Sequence, residues 1–196
     1  MDGNGYSDFP EISADGQTVA FRSSSSNLAA HTPELGPNVF VRDLATRRTS
    51  RLHVSGGTWP AAISDHGRFV LFFNYYEVPN GIQLYLRDRR RQTTQRVSFG
   101  LLYAWTYGDS LSANGRYAAF LAHTDGEASV FVYDRVEKRT VQVDVDTTGG
   151  DTTQSAISEP SISADGRFVA FSSDAADLVP NDTNGDEDAF LRGPLH

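Results

Sequence analysis

Residues 160–173 read PSISADGRFVAFSS, and residues 10–23 read PEISADGQTVAFRS. One phrase written twice, this far apart, marks an internal repeat. Two looser copies lie between them: AISDHGRFVLFF at 62–73 and SLSANGRYAAFLA at 110–122. Their glycines, Gly16, Gly67, Gly115 and Gly166, are spaced by 51, 48 and 51 residues. A period near 50 is the mark of a stacked or radial repeat architecture. Each copy has two short apolar stretches around a turn pair: Asp15-Gly16, His66-Gly67, Asn114-Gly115 and Asp165-Gly166. Asp-Gly and Asn-Gly suit a two-residue type I′ hairpin turn, in which both central residues take positive φ. The second stretch carries an aromatic at a fixed place, Phe21, Phe72, Phe120 and Phe171, which reads as a repeated core contact.

A third strand follows in every copy: NVFVRD (38–43), QLYLRD (83–88), SVFVYD (129–134) and DAFLRG (188–193). A fourth follows in three: TSRLHVS (49–55), TQRVSFG (94–100) and TVQVDV (140–145). Apolar and polar residues alternate with period two, as in half-buried strands, and no segment sustains a helical period. The expected fold is all-β, a β-propeller of four-stranded antiparallel blades, with four repeats visible and the last blade truncated. The blades span about 9–57, 58–101, 107–148 and 159–193. They form a single propeller domain over 1–196 or an arc of a larger propeller. The bare edge of the incomplete blade makes self-association there an expectation.

The pattern P-x-I-S-x-D-G-R-x-V-A-F, a variable loop, then V-F-V-R-D-L resembles the TolB-type, WD40-like β-propeller repeat. The resemblance covers nearly the whole chain. It implies a propeller fold, a role as a binding platform, and a location outside the cytoplasm, in the periplasm or secreted. Residues 1–10 hold no signal peptide, lacking both a basic start and an apolar core. One departure is visible. Where family repeats place glycine after the third strand, this chain has Arg47, Gln92 and Lys138, so looser or differently built hairpins are expected there.

The chain has 17 basic and 25 acidic residues, a net charge of −8, and no cysteine. That balance disfavours nucleic acid as a partner, and the lack of cysteine removes disulfides and thiolate metal sites. No apolar run is long enough for membrane insertion as a helix. In an up-and-down blade, successive loops alternate between two ends of the sheet. The Asp-Gly turns share one end with basic hairpins, RDLATRRTSR (42–51), RDRRRQTTQR (87–96) and YDRVEKRT (133–140). Arginines beside an outer strand read first as protection against edge-to-edge pairing. The other end is acidic and aromatic. Trp59, Tyr75, Tyr76, Tyr103, Trp105 and Tyr107 fall in its loops and connections, as a surface binding a protein or peptide would require.

Near the C-terminal end, NDTNGDED spaces oxygen ligands at Asp182, Asn184, Asp186 and Asp188, a donor set suited to structural calcium. It is an incomplete EF-hand loop, since Gly185 comes early and no glutamate stands twelfth. The five histidines have no close-spaced partners for zinc. His31 and His123 fall on the loop end but offer no nucleophile, and G-x-S-x-G is absent. The sequence therefore reads as a non-enzymatic binding platform without catalytic residues. The alternatives are a carbohydrate-active or lyase-type enzyme using the same end, and a structural module of a larger protein.

Overall fold

The structure is a computed structural model describing residues 3–30, 37–52, 58–74, 82–98, 110–124, 127–152 and 160–195. Every regular element among them is a strand, and the strands form antiparallel sheets within two compact units. In the first unit, Met1–Val97, one sheet has the order β1 (Ser7–Ile12), β2 (Thr18–Ser23), β3 (Asn38–Asp43), β4 (Arg48–Arg51). The other runs β5 (Thr58–Ile63), β6 (Phe69–Asn74), β7 (Gln83–Asp88), β8 (Thr93–Arg96). The second unit, Ser98–His196, holds β9 (Ser110–Leu111), β10 (Tyr117–Thr124), β11 (Glu127–Asp134) and β12 (Arg139–Gln142) in one sheet. Its other sheet has three strands: β13 (Ser161–Ile162), β14 (Val169–Ser173) and β15 (Asp188–Arg192). This is the up-and-down blade order read from the repeat, with three strands in the last copy among the described residues.

The repeated aromatic stacks on an aromatic of the third strand in every blade. The ring pairs are Phe21–Phe40, Phe72–Tyr85, Phe120–Phe131 and Phe171–Phe190, with centroids 5.9, 5.7, 5.9 and 5.8 Å apart. Each is a directly opposed cross-strand pair, which adds several tenths of a kcal/mol beyond area burial, about 0.5–1.5. The strict alternation expected of half-buried strands does not hold at the blade centres. Every residue of β6 is buried, as are the first four of β3, because a middle strand is covered on both faces. In the first unit Ala20, Val39, Val41 and Leu52 pack against Val70 and Phe72 of the neighbouring sheet. In the second, Tyr117, Ala119, Val130, Val132 and Val143 pack against Ile162, Val169, Phe171 and Phe190.

The Asp-Gly turns are not type I′. Only the glycines take positive φ: 67° at Gly16, 64° at Gly67, 65° at Gly115 and 76° at Gly166. The loop has four residues, and the serine before it explains why. Its carbonyl accepts the glycine N–H at 2.8 Å in all four copies, and its own N–H is bonded five residues on. Its Oγ accepts a second N–H, from Thr18, Phe69, Tyr117 or Phe168, each at 3.0 Å. Asp15, Asn114 and Asp165 accept the N–H two residues ahead, at 3.0, 2.8 and 3.0 Å, an Asx-turn made at negative φ. The motif S-x-[DN]-G is thus a closed hydrogen-bond device, and the side chain preceding glycine has no need of the left-handed region.

The third-to-fourth-strand hairpins also differ from expectation. Arg47, Gln92 and Lys138 adopt the left-handed conformation themselves, with φ of 55°, 58° and 53°. The hairpins are therefore neither loose nor rebuilt; they keep a glycine-type geometry at a cost of about 1–2 kcal/mol each. Side-chain caps hold them there. Asp43 accepts from Thr46 N–H at 2.7 Å, Asp88 from Arg90 and Arg91 N–H at 3.0 and 3.1 Å, and Asp134 from Val136 N–H at 2.7 Å.

Candidate functional site

At the turn end of the sheets, the polar side chains that recur from blade to blade are engaged in structure. Arg68 makes a two-pronged bond to Asp88, at 3.1 and 2.7 Å, and Arg116 does the same to Asp134. These arginines follow the turn glycine, so each ties a second strand to the end of the third. The paired guanidinium helps hold the Asp88 and Asp134 carboxyls below the usual carboxylate range, against a burial that pushes them up. The Ser13 hydroxyl and the Gln17 N–H, with His66 Nδ1 at 3.1 Å, bring the Asp15 carboxyl down to about 2. Neighbouring turns are stitched by backbone as well: Asp15 N–H to the Asp65 carbonyl in the first unit, and Ala113 N–H to the Ala164 carbonyl in the second.

At the loop end, Trp59 is the second residue of β5 and lies tilted on Phe73, centroids 5.6 Å apart, with the side chain half-buried. Thr58 pairs with Asn74, the last residue of β6, and Trp59 pairs with Phe73. Tyr75, Tyr76, Tyr103, Trp105, Tyr107 and His31 lie outside the described residues. His123 is the penultimate residue of β10, half-buried, opposite Ala128.

The acidic loop that leads into β15 is shaped by two left-handed residues, Asn181 and Gly185, with φ of 65° and 69°. Asp182 and Asp188 line one groove of about 400 Å³ beside Phe190 and Arg192. Asn184 turns its amide nitrogen to the Asp188 carboxylate, at 2.9 Å, and its oxygen accepts the Asp186 N–H. Among the described residues, no three acidic or histidine side chains gather closely enough to hold a metal ion. A calcium ion here would require the Asn184 carboxamide to turn its oxygen inward and release Asp188.

Sequence reasoning passed over Asp144. It stands just past β12 and is 1% exposed. Burial pushes its carboxyl up to about 7. A signal was present in the repeat. The N–H groups of Leu52, Val97 and Val143 bond the third strand at equivalent places, so Asp144 occupies the position of the fully buried Ser98.

No protein-family model matches the chain, and no curated protein does. Solved structures do. TolB from Acinetobacter baumannii is 21% identical with a TM-score of 0.56, over 87% of this chain and 38% of that one. A putative TolB from Agrobacterium tumefaciens is 15% identical with a TM-score of 0.60, over 93% and 59%. The β-propeller domain of the Trilobed protease from Pyrococcus furiosus, described as having an open velcro topology, is 13% identical with a TM-score of 0.55, over 86% and 48%. The fold is therefore that of a TolB-type β-propeller. The chain spans about two fifths to three fifths of the length of these structures.

Proposed function

We propose that the chain is a non-enzymatic binding platform that takes a protein or peptide through the aromatic, acidic loop end of its sheets. The carrying observation is a division of labour within the repeat. The elements that recur between blades, the serine–glycine turn and the stacked aromatic pair in all four and the Arg–Asp tie in two, are used in holding the scaffold. The residues that differ between blades include Trp59, Tyr75, Tyr76, Tyr103, Trp105 and Tyr107, and Trp59 is anchored on Phe73 as a rigid contact would be. Rigid aromatics on loops give large contact area at low entropic cost. One solved neighbour is the β-propeller domain of a protease, so a place within a longer protein is part of the reading. The TolB resemblance supports a location outside the cytoplasm.

Peptides selected from a random display library on the immobilised protein give the test. Selected peptides should lose about tenfold or more in affinity on Trp105→Ala or Tyr75→Ala, with an unchanged melting temperature. Selection of no peptide, or peptides indifferent to both substitutions, would refute the reading. Turnover of a glycan by the purified chain would replace it with the enzymatic one.

A further inference from the structure

The two units carry very different charge. The first, Met1–Val97, has 11 basic and 9 acidic residues, net +2, whereas the second has 6 and 16, net −10. The excess in the first is concentrated at its turn end. Arg47 and Arg48 stand at the β3–β4 hairpin, and Arg90 and Arg91 stand at the β7–β8 hairpin, all four exposed. The two hairpins are neighbours: Arg89 Nη1 donates to the Gly67 carbonyl at 2.6 Å, a Cβ at Gly67 would strike Thr18, and Thr18 pairs with Asp43 at the start of the other hairpin. Among the described residues none of the four forms an ion pair. The acids at hand are already engaged: Asp88 holds Arg68, and Asp43 caps Thr46. The matching hairpin of the second unit is of mixed sign, with Glu137 between Arg135 and Arg139.

We infer that Arg47, Arg48, Arg90 and Arg91 form a second binding site, for a short acidic segment of a protein partner. Edge protection would be served as well by lysine, a compact and strongly hydrated charge. All 11 basic residues of this unit are arginine, whose planar fork matches a carboxylate with two parallel hydrogen bonds. The left-handed Arg47 gives up backbone stability at a place where glycine would fit better. Nucleic acid fits less well. Neither hairpin segment, 42–51 or 87–96, contains an aromatic for base stacking, and the exposed apolar residue beside the arginines is Leu44. The chain's net charge of −8 also disfavours a long polyanion more than a segment of a few residues. The site lies at the turn end of the sheets and Trp59 at the opposite end, so either reading can fail without the other.

Fluorescence anisotropy with a labelled hexaglutamate peptide, at about 50 mM salt where surface charges are weakly screened, reads the site directly. The quadruple variant Arg47→Gln/Arg48→Gln/Arg90→Gln/Arg91→Gln should weaken binding about tenfold or more, with unchanged circular dichroism. Lys138→Gln/Arg139→Gln in the second unit should leave it within about twofold. If the quadruple variant fails to fold, Arg90→Gln/Arg91→Gln alone should cost about threefold or more. Three results would overturn the inference: no binding by millimolar protein, equal binding by the variants of both units, or tighter binding of an oligothymidine of similar length.

Discussion

Two turn glycines with nearly the same backbone should respond very differently to alanine. Gly16 and Gly166 have φ of 67° and 76°, so alanine at either pays for the left-handed region, about 1–2 kcal/mol. Around Gly16 an added Cβ would meet nothing within 4 Å. At Gly166 it would stand 2.2 Å from Cδ2 of Tyr117, 2.9 Å from Cε2 and 3.0 Å from Cγ. That ring is 5% exposed and belongs to the core of the second unit, so it has little room to withdraw. Forcing a methyl into such packing costs about 1–3 kcal/mol more. Gly16→Ala should therefore cost about 1–2 kcal/mol and Gly166→Ala about 2–5. In urea unfolding followed by circular dichroism, the Gly166→Ala midpoint should fall about one and a half times as far or more. A Tyr117→Ala background should shrink the Gly166→Ala penalty toward that of Gly16→Ala. Equal midpoint shifts for the two alanines would show that turn conformation alone fixes these glycines and that the ring contact is immaterial.

Asp144 predicts a pH dependence. The unfolded carboxyl ionises near 3.8 and the folded one near 7, so between these values the folded state holds the extra proton. Stability from this group is complete below pH 3.8 and declines as pH rises to 7, by about 4 kcal/mol at most. Asp144→Asn should raise the melting temperature at pH 8 and leave it nearly unchanged at pH 4; the same increment at both would refute the assignment. Lys138→Gly should stabilise by about 0.5–1 kcal/mol in urea, by relieving the left-handed backbone, and any destabilisation would count against that account. Calcium at tenfold excess over Kd should add about 1.4 kcal/mol, and the rise of roughly 3–5 °C should vanish in Asp188→Asn. Identical melting in calcium and in chelator would leave 181–188 as a loop held by Asn184.

The blade order was legible because a repeat reports the same structural demand several times. Serine, glycine and phenylalanine recur at fixed places since each is tied to backbone or to a stacked ring, and a period of about 50 residues follows directly. The turn type was misread because Asp-Gly is compatible with two geometries. The choice between them is made by the serine hydroxyl, whose bond to the N–H five residues on is not a local propensity. The left-handed Arg47, Gln92 and Lys138 were hidden for a related reason. Their conformation is imposed by the capping aspartates and the strand register, whereas their own preferences oppose it. Asp144 escaped notice because burial belongs to the packed sheets, and an aspartate in a polar-looking VDVD run carries no mark of it. The loop end is the least legible part, since segments that vary from blade to blade offer no internal comparison.

The turn glycines have a further consequence for how such a chain can be rearranged. Two of them are sockets as well as bends: an added Cβ at Gly67 would strike Thr18 of the preceding blade, as one at Gly166 would strike Tyr117. Thr18 and Tyr117 stand at the same place in their blades yet differ greatly in size. The sockets are alike in sequence, but the knobs they accept are not, so neighbouring blades are matched pairs rather than interchangeable tiles. A chimera that set the fourth blade beside the first would offer its socket a threonine in place of a tyrosine and leave a void where a ring belongs. Gene duplication can copy a blade in one step, but seating the copy takes a compensating change in the blade before it.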